Sequence, residues 1–178
     1  ALWDIKAKLA GMPLYDLLGG KCRERVQVYR HCNAGSKGEV LELAHQAVES
    51  GCKYLRVAYT AFDGPSQESS DLCLTGSGHV YDPKEHMKSI LDLLTTLRET
   101  FGHSVELMTD THERLDSVDV VVLAKKLEQL DLFFMEDPLP PEQTHWLHRI
   151  RASCTTPIAM GEVTHPLEWM PLLENRLI

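Results

Sequence analysis

The chain has no C-x-x-C pair, and its five cysteines (Cys22, Cys32, Cys52, Cys73 and Cys154) are odd in number and widely scattered. That argues against a disulfide framework or a cysteine-rich zinc site. It leaves reduced thiols, so a cytoplasmic location is expected. Also missing is any apolar run near the ~18 residues of a membrane-spanning helix, or a signal-peptide pattern before the first element. No membrane partner is therefore expected. Basic residues are too few for a nucleic-acid partner: 18 Lys and Arg stand against 26 Asp and Glu, a formal net charge of −8. Nor does a glycine-rich phosphate turn follow the first apolar run, because "HCNAGSKGE" does not spell G-x-G-x-x-G.

What remains is a hydrophobic content of 43% and a charged content of 25% over 178 residues, the balance of a soluble globular domain or of part of a larger one. Both ends read as cut. Ala1 opens inside the helix-like run "ALWDIKAKLAG", and Leu177 and Ile178 read as the start of another strand. The expectation is a segment of something longer.

From residue 26 onward, short apolar runs alternate with amphipathic ones. Val26–His31, Tyr54–Tyr59, Val105–Asp110, Leu132–Glu136 and Ile158–Glu162 read as strands buried on both faces. Gly38–Ser50, Pro83–Phe101, Ser117–Gln129, Pro141–Ala152 and Pro166–Glu174 read as helices, with prolines near three of the starts. Asp116 stands where a cap belongs, and Gly51 and Gly102 are natural stops. The exception is Thr60–Asp82, a long polar insertion. Strict alternation predicts βαβ units and a parallel sheet. With no phosphate turn, and with polar residues at consecutive strand ends, the prediction is α/β: a partial (β/α)8 TIM-type barrel. A complete barrel takes about 250 residues.

Those strand ends carry the chemistry. Asp110, Glu136 and Glu162 close three successive strands, and the same spacing of 26 residues separates each from the next. Equal spacing predicts that they lie at one height. Three converging carboxylates without a basic neighbour repel one another, and a divalent cation removes the conflict. All-oxygen donors select Mg2+, with Mn2+ as the alternative, over zinc. His112 lies two residues beyond Asp110. Beside a metal ligand on the same face it reads as an acid or base, whereas Asp137 reads as a partner for nearby backbone or a cation.

At these residues the sequence resembles the enolase superfamily, and within it the acid-sugar dehydratases of the mannonate dehydratase type. "ALWDIKAKLAGMPLYDLLGG" is similar to the family segment joining an N-terminal capping domain to the barrel, and "DTHER", "MEDP" and "MGEV" are similar to its third, fourth and fifth strand ends. The resemblance implies a division into residues 1–25, the end of the capping domain and a linker helix, and residues 26–178, the first part of the barrel. It implies Mg2+ on Asp110, Glu136 and Glu162, with Glu162 also reaching substrate, and His112 as the general acid. His31 in "VYRHCNAG" matches a substrate-contacting histidine, and Arg56 in "KYLRVAY" matches an arginine beside the catalytic base. The implied reaction is Mg2+-dependent dehydration of a sugar acid, D-mannonate as first guess, to a 2-keto-3-deoxy acid through an enediolate. A homo-oligomer is implied for the full-length form.

Two departures open alternatives. The tyrosine that serves mannonate dehydratases as base is replaced, counting from Arg56, by Glu68; Tyr59 and Tyr81 do not occupy its place. The second-strand Lys-x-Lys of the racemase branch is also missing, since the run is Leu55-Arg56-Val57. Both fit D-galactonate or D-gluconate dehydratases, whose base comes from a later strand, and they leave the base unassigned here. They also fit a non-catalytic regulatory or truncated homologue that retains the metal site.

Overall fold

The structure is a computed structural model, and it describes residues 1–59 and 81–178. Five strands form one parallel sheet: β1 (Arg30–Ala34), β2 (Tyr54–Tyr59), β3 (Glu106–Asp110), β4 (Phe134–Glu136) and β5 (Ile158–Ala159), in the order 1-2-3-4-5. A doubly wound sheet reverses its strand order at a switch point; this one does not. The unbroken order with helices between strands is that of a partial (β/α)8 barrel.

Local chemistry sets where the helices begin. Two helices, α1 (Leu2–Leu9) and α2 (Leu14–Leu17), precede the sheet, and α3 (Lys37–Glu49) starts at Ser36, whose Oγ accepts from the Glu39 N–H. In α4 (Pro83–Phe101) the Asp82 carboxylate caps the N–H groups of Lys84 and Glu85 while Pro83 fills the first turn. Asp116 does the same for α5 (Ser117–Leu127). After α6 (Leu147–Ser153), His165 and Glu168 form a reciprocal capping box at the start of α7 (Pro166–Glu174).

The sheet has two unlike faces, because successive side chains alternate. Cys32, Leu55, Val57, Leu107, Met135 and Ile158 point into the core, where they meet Val40, Ala44, Leu94, Leu97, Val120, Leu123 and Ile150 from the helices. The opposite face carries His31, Arg56, Asp110 and Glu136. His31 is opposite Arg56 across β1 and β2, and Asp110 is opposite Glu136 across β3 and β4. The candidate polar residues are therefore gathered on the side of the sheet away from the helices.

Several predicted boundaries move. The first strand was expected over Val26–His31, yet pairing begins at Arg30 opposite Leu55. Val26 and Val28 lie before the ladder and are each 67% exposed. The fourth strand begins at Phe134 and not at Leu132, following a left-handed Asp131. The fifth stops at Ala159 and not at Glu162, because β4 turns away at Asp137 (φ 39°) and no ladder partner is left. The helix expected over Pro141–Ala152 splits into a 3-10 stretch, Pro141–Trp146, followed by α6. Leu177 and Ile178 pack on the core, Leu177 buried, without forming a strand. Glu68 and most of the Thr60–Asp82 insertion lie outside the described residues.

Candidate metal centre

Asp110 is the last residue of β3, and the chain does not continue as a strand past it. His112 and Glu113 both take left-handed backbone conformations (φ 50° and 58°). That turn, and not strand alternation, brings His112 back onto Asp110. The His112 N–H donates to Asp110 Oδ1 at 2.8 Å, and its Nε2 lies 3.1 Å from Asp110 Oδ2. Between them, Thr111 ties β3 to the end of β4. Its Oγ1 donates to the carbonyl oxygens of Glu136 (3.1 Å) and Asp137 (2.8 Å).

The expectation of one height holds for two of the three acids. Asp110 and Glu136 are ladder partners, but the partner of Glu136 on β5 is Ala159. Glu162 lies three residues past that level, on an exposed turn. It nevertheless reaches the site, since carboxylate oxygens of Glu136, Asp137 and Glu162 come within 4.8 Å of one another.

The expectation that no basic group stands nearby is also corrected. Arg56, almost fully buried on β2, reaches across the sheet with Nη2 against Asp110 Oδ2 and Nε 2.5 Å from Glu136 Oε2. Its guanidinium offsets part of the charge of these two acids. Asp110 is thus turned toward Arg56 and His112, and the acid grouped with Glu136 and Glu162 is Asp137. His31, on β1, is exposed and stacks on Tyr29 with ring centroids 5.4 Å apart.

Electrostatics single out Asp137, which is 2% exposed. Burial first, then the charges of Glu162 and Glu136, push its carboxyl up to about 6, against a small opposing pull from the Gly161 N–H. Among the described residues its Oδ1 is buried without a hydrogen-bond partner. Glu113 is also raised, by burial and by Glu142 and Glu162, and among the described residues its buried Oε1 likewise has no partner. Burial lowers the His112 imidazole, as do Arg114 and Arg56, against the opposing charges of Glu162 and Glu136. The balance of these effects favours the neutral ring. Clustered carboxylate oxygens, one of them buried and unsatisfied, fit a hard divalent cation such as Mg2+.

Sequence reasoning left Thr111 and Glu113 unremarked and gave Asp137 only a partner's role. The signal for Asp137 was visible as the second acid of "EDP". Nothing in one sequence marked Thr111.

Comparison with known proteins decides the family. The enolase C-terminal domain-like family model matches residues 39–177. The chain belongs to the enolase superfamily. It is 44% identical over 179 residues to a D-galactonate dehydratase family member of Enterococcus gallinarum, covering 100% of this chain and 44% of that protein. A D-galactonate dehydratase family member of Pantoea ananatis is 39% identical over 196 residues, covering 100% of this chain and 47% of that one. Among solved structures, an enolase from Pantoea ananatis with bound D-gluconate and Mg superposes with a TM-score of 0.86 at 38% identity, over 100% of this chain and 47% of that chain. The chain spans about half the length of the curated relatives it matches. Within this superfamily, its sheet corresponds to part of the barrel domain.

Proposed function

We propose that the protein carrying this chain dehydrates a C6 aldonate of the D-galactonate or D-gluconate type to a 2-keto-3-deoxy acid, with Mg2+ as cofactor. The names of the relatives and the D-gluconate and Mg bound in the Pantoea structure favour this alternative over D-mannonate, which is set aside as first guess. The observation that carries the reading is the meeting of an acidic cluster and a histidine at the C-terminal ends of β3 to β5, where barrel enzymes build their sites, with an arginine reaching in from the middle of β2.

In this reading Asp110, Glu136 and Glu162 hold the ion, and Glu162, the most exposed of the three, also touches substrate. When bound, Mg2+ would stabilise negative charge developing on the substrate carboxylate as the adjacent proton leaves. Mn2+ is the natural substitute. His112 holds the proton for the departing β-hydroxyl. An anionic substrate opposes the effect of Arg114 and Arg56 and favours the charged imidazolium that this role requires. Arg56 tempers the charge of Asp110 and Glu136 and orients the group that takes the α-proton. His31, one strand further along the same face, contacts a sugar hydroxyl. The residue that removes the α-proton is unassigned.

The same reading makes residues 1–25 the end of a capping domain and residues 26–178 the first part of the barrel. The full-length protein would be a homo-oligomer taking small-molecule substrates. Its test is a panel of aldonic acids offered to the full-length protein with Mg2+, scored for 2-keto-3-deoxy product. Turnover of galactonate or gluconate above mannonate supports the reading. Mg2+ binding with no turnover on any aldonate would favour the non-catalytic homologue.

A further inference from the structure

β1 brings a second polar residue to the site face that the chemistry above does not use. Asn33 lies two residues beyond His31, so its side chain leaves the sheet on the same side, while Cys32 between them enters the core. The ladder sets its height. Asn33 is opposite Ala58, Val57 is opposite Thr109, and Asp110, the residue after Thr109, is opposite Glu136. Asn33, Ala58, Asp110 and Glu136 therefore form one level. His31 lies one level deeper, opposite Arg56, which is in turn opposite Met108.

We propose that Asn33 is a specificity-determining residue that hydrogen-bonds a hydroxyl in the tail of the aldonate, at C4 to C6. Its Oδ1 is buried and, among the described residues, has no hydrogen-bond partner. A buried acceptor left unpaired is costly, and a substrate hydroxyl satisfies it. Asn33 stands two strands from Asp110, about 10 Å across the sheet at the usual strand spacing. That is comparable with the length of an extended C6 aldonate whose carboxylate end lies with the acids. Ala58, midway between them on the same level, adds only a methyl group to that face.

D-Gluconate and D-galactonate have opposite configurations at C4 alone, so a contact on the tail is where the two can be told apart. A polar group built to meet a hydroxyl discriminates well, because an acid that lacks the hydroxyl, or holds it elsewhere, leaves the protein group unpaired.

The inference rests on the dehydration reading above, and the experiment keeps the two apart. With full-length protein and Mg2+, kcat and KM are measured on D-gluconate, D-galactonate and their 4-, 5- and 6-deoxy analogues. Wild type is compared with Asn33→Ala and Asn33→Val, the second offering a strand-forming side chain should alanine fail to fold. On the better of the two parent acids, either variant is expected to lose about tenfold or more in kcat/KM, the penalty for a hydroxyl left without its partner. On the one deoxy analogue that lacks the contacted hydroxyl, the variants should match wild type. Wild type should itself disfavour that analogue by a similar factor. An unchanged kcat/KM in the variants would overturn the inference, as would an equal loss on every analogue, which would give Asn33 a partner within the protein. So would wild type that accepts all the deoxy analogues as well as their parents. If wild type turns over no aldonate, the dehydration reading fails, and Mg2+-dependent affinity for the same acids, read by calorimetry, decides about Asn33 by the same comparison. Wild type that binds none of them would overturn both.

Discussion

Single side chains in this molecule are held under opposing demands, and two of them give direct tests. Asp110 shares its carboxylate between Arg56 and the backbone and ring of His112. Replacing it by asparagine removes the charge but keeps the shape. Asp110→Asn is expected to weaken Mg2+ binding by the full-length protein about tenfold or more, read by calorimetry; unchanged affinity would remove Asp110 from the ligand set. Tyr59, packed in the hydrophobic core at the end of β2, offers a second test. Burial, helped by the charge of Asp92, pushes its phenol up to about 12, and among the described residues its buried hydroxyl has no partner. The native state therefore keeps this proton where the unfolded chain loses it. The associated stability is intact below pH 10 and is lost as pH rises from 10 to 12, at most about 3 kcal/mol. A tyrosinate absorbance titration should show one late-titrating phenol that is absent in Tyr59→Phe. That variant should be as stable as wild type or more so, since it removes an unsatisfied buried group. A loss of more than about 1 kcal/mol would show that the hydroxyl has a partner.

Among the elements, α4 is tied to the sheet by more than its apolar face. From its last turn, the buried Arg98 donates to four carbonyls: Leu130, Gly102, Val105 and Asp131, at 2.7 to 2.9 Å. One side chain thus anchors the entries to both β3 and β4. Arg98→Met keeps the stem and leaves those carbonyls without their donor. It should destabilise the fold by about 3 kcal/mol or more in urea denaturation, and a change below about 1 kcal/mol would contradict this role.

It is at this scale, too, that the sequence was most and least legible. Pro83–Phe101 and Pro166–Glu174 could be read to the residue because Asp82 with Pro83, and His165 with Pro166, are start signals local to the chain. The ends of β4 and β5 could not, because they depend on a left-handed Asp137 and on which residue Glu136 meets across the ladder. The equal spacing of the three acids did not name the acid that the fold groups with Glu136 and Glu162, which is Asp137. It set Asp110 opposite Glu136, while Glu162 arrives by a turn. Arg56 was legible as a candidate, but its reach across the sheet to two acids is a tertiary fact that no local pattern carries.

Taken whole, the molecule has an open sheet with β1 and β5 at its edges, and apolar side chains in solvent at both ends of the chain. Leu2, Leu9 and Leu167 are each at least 80% exposed. Unpaired strand edges and bare apolar surface both favour association. These 178 residues on their own are expected to associate with themselves or with a partner chain, seen as concentration-dependent elution on size exclusion. A stable monomer that melts cooperatively would contradict that expectation. No helix among the described residues is long and apolar enough to cross a membrane.

The central claim is that the strand-end acids serve a metal-dependent dehydration. It is tested most directly by following 2-keto-3-deoxy product from D-gluconate and D-galactonate with full-length protein, first with Mg2+, then with excess chelator, then with Mg2+ restored. The account predicts product formation that stops with the chelator, returns with the ion, and is absent from Glu136→Gln under all three conditions. Turnover that persists through chelation, or that survives in Glu136→Gln, would contradict it.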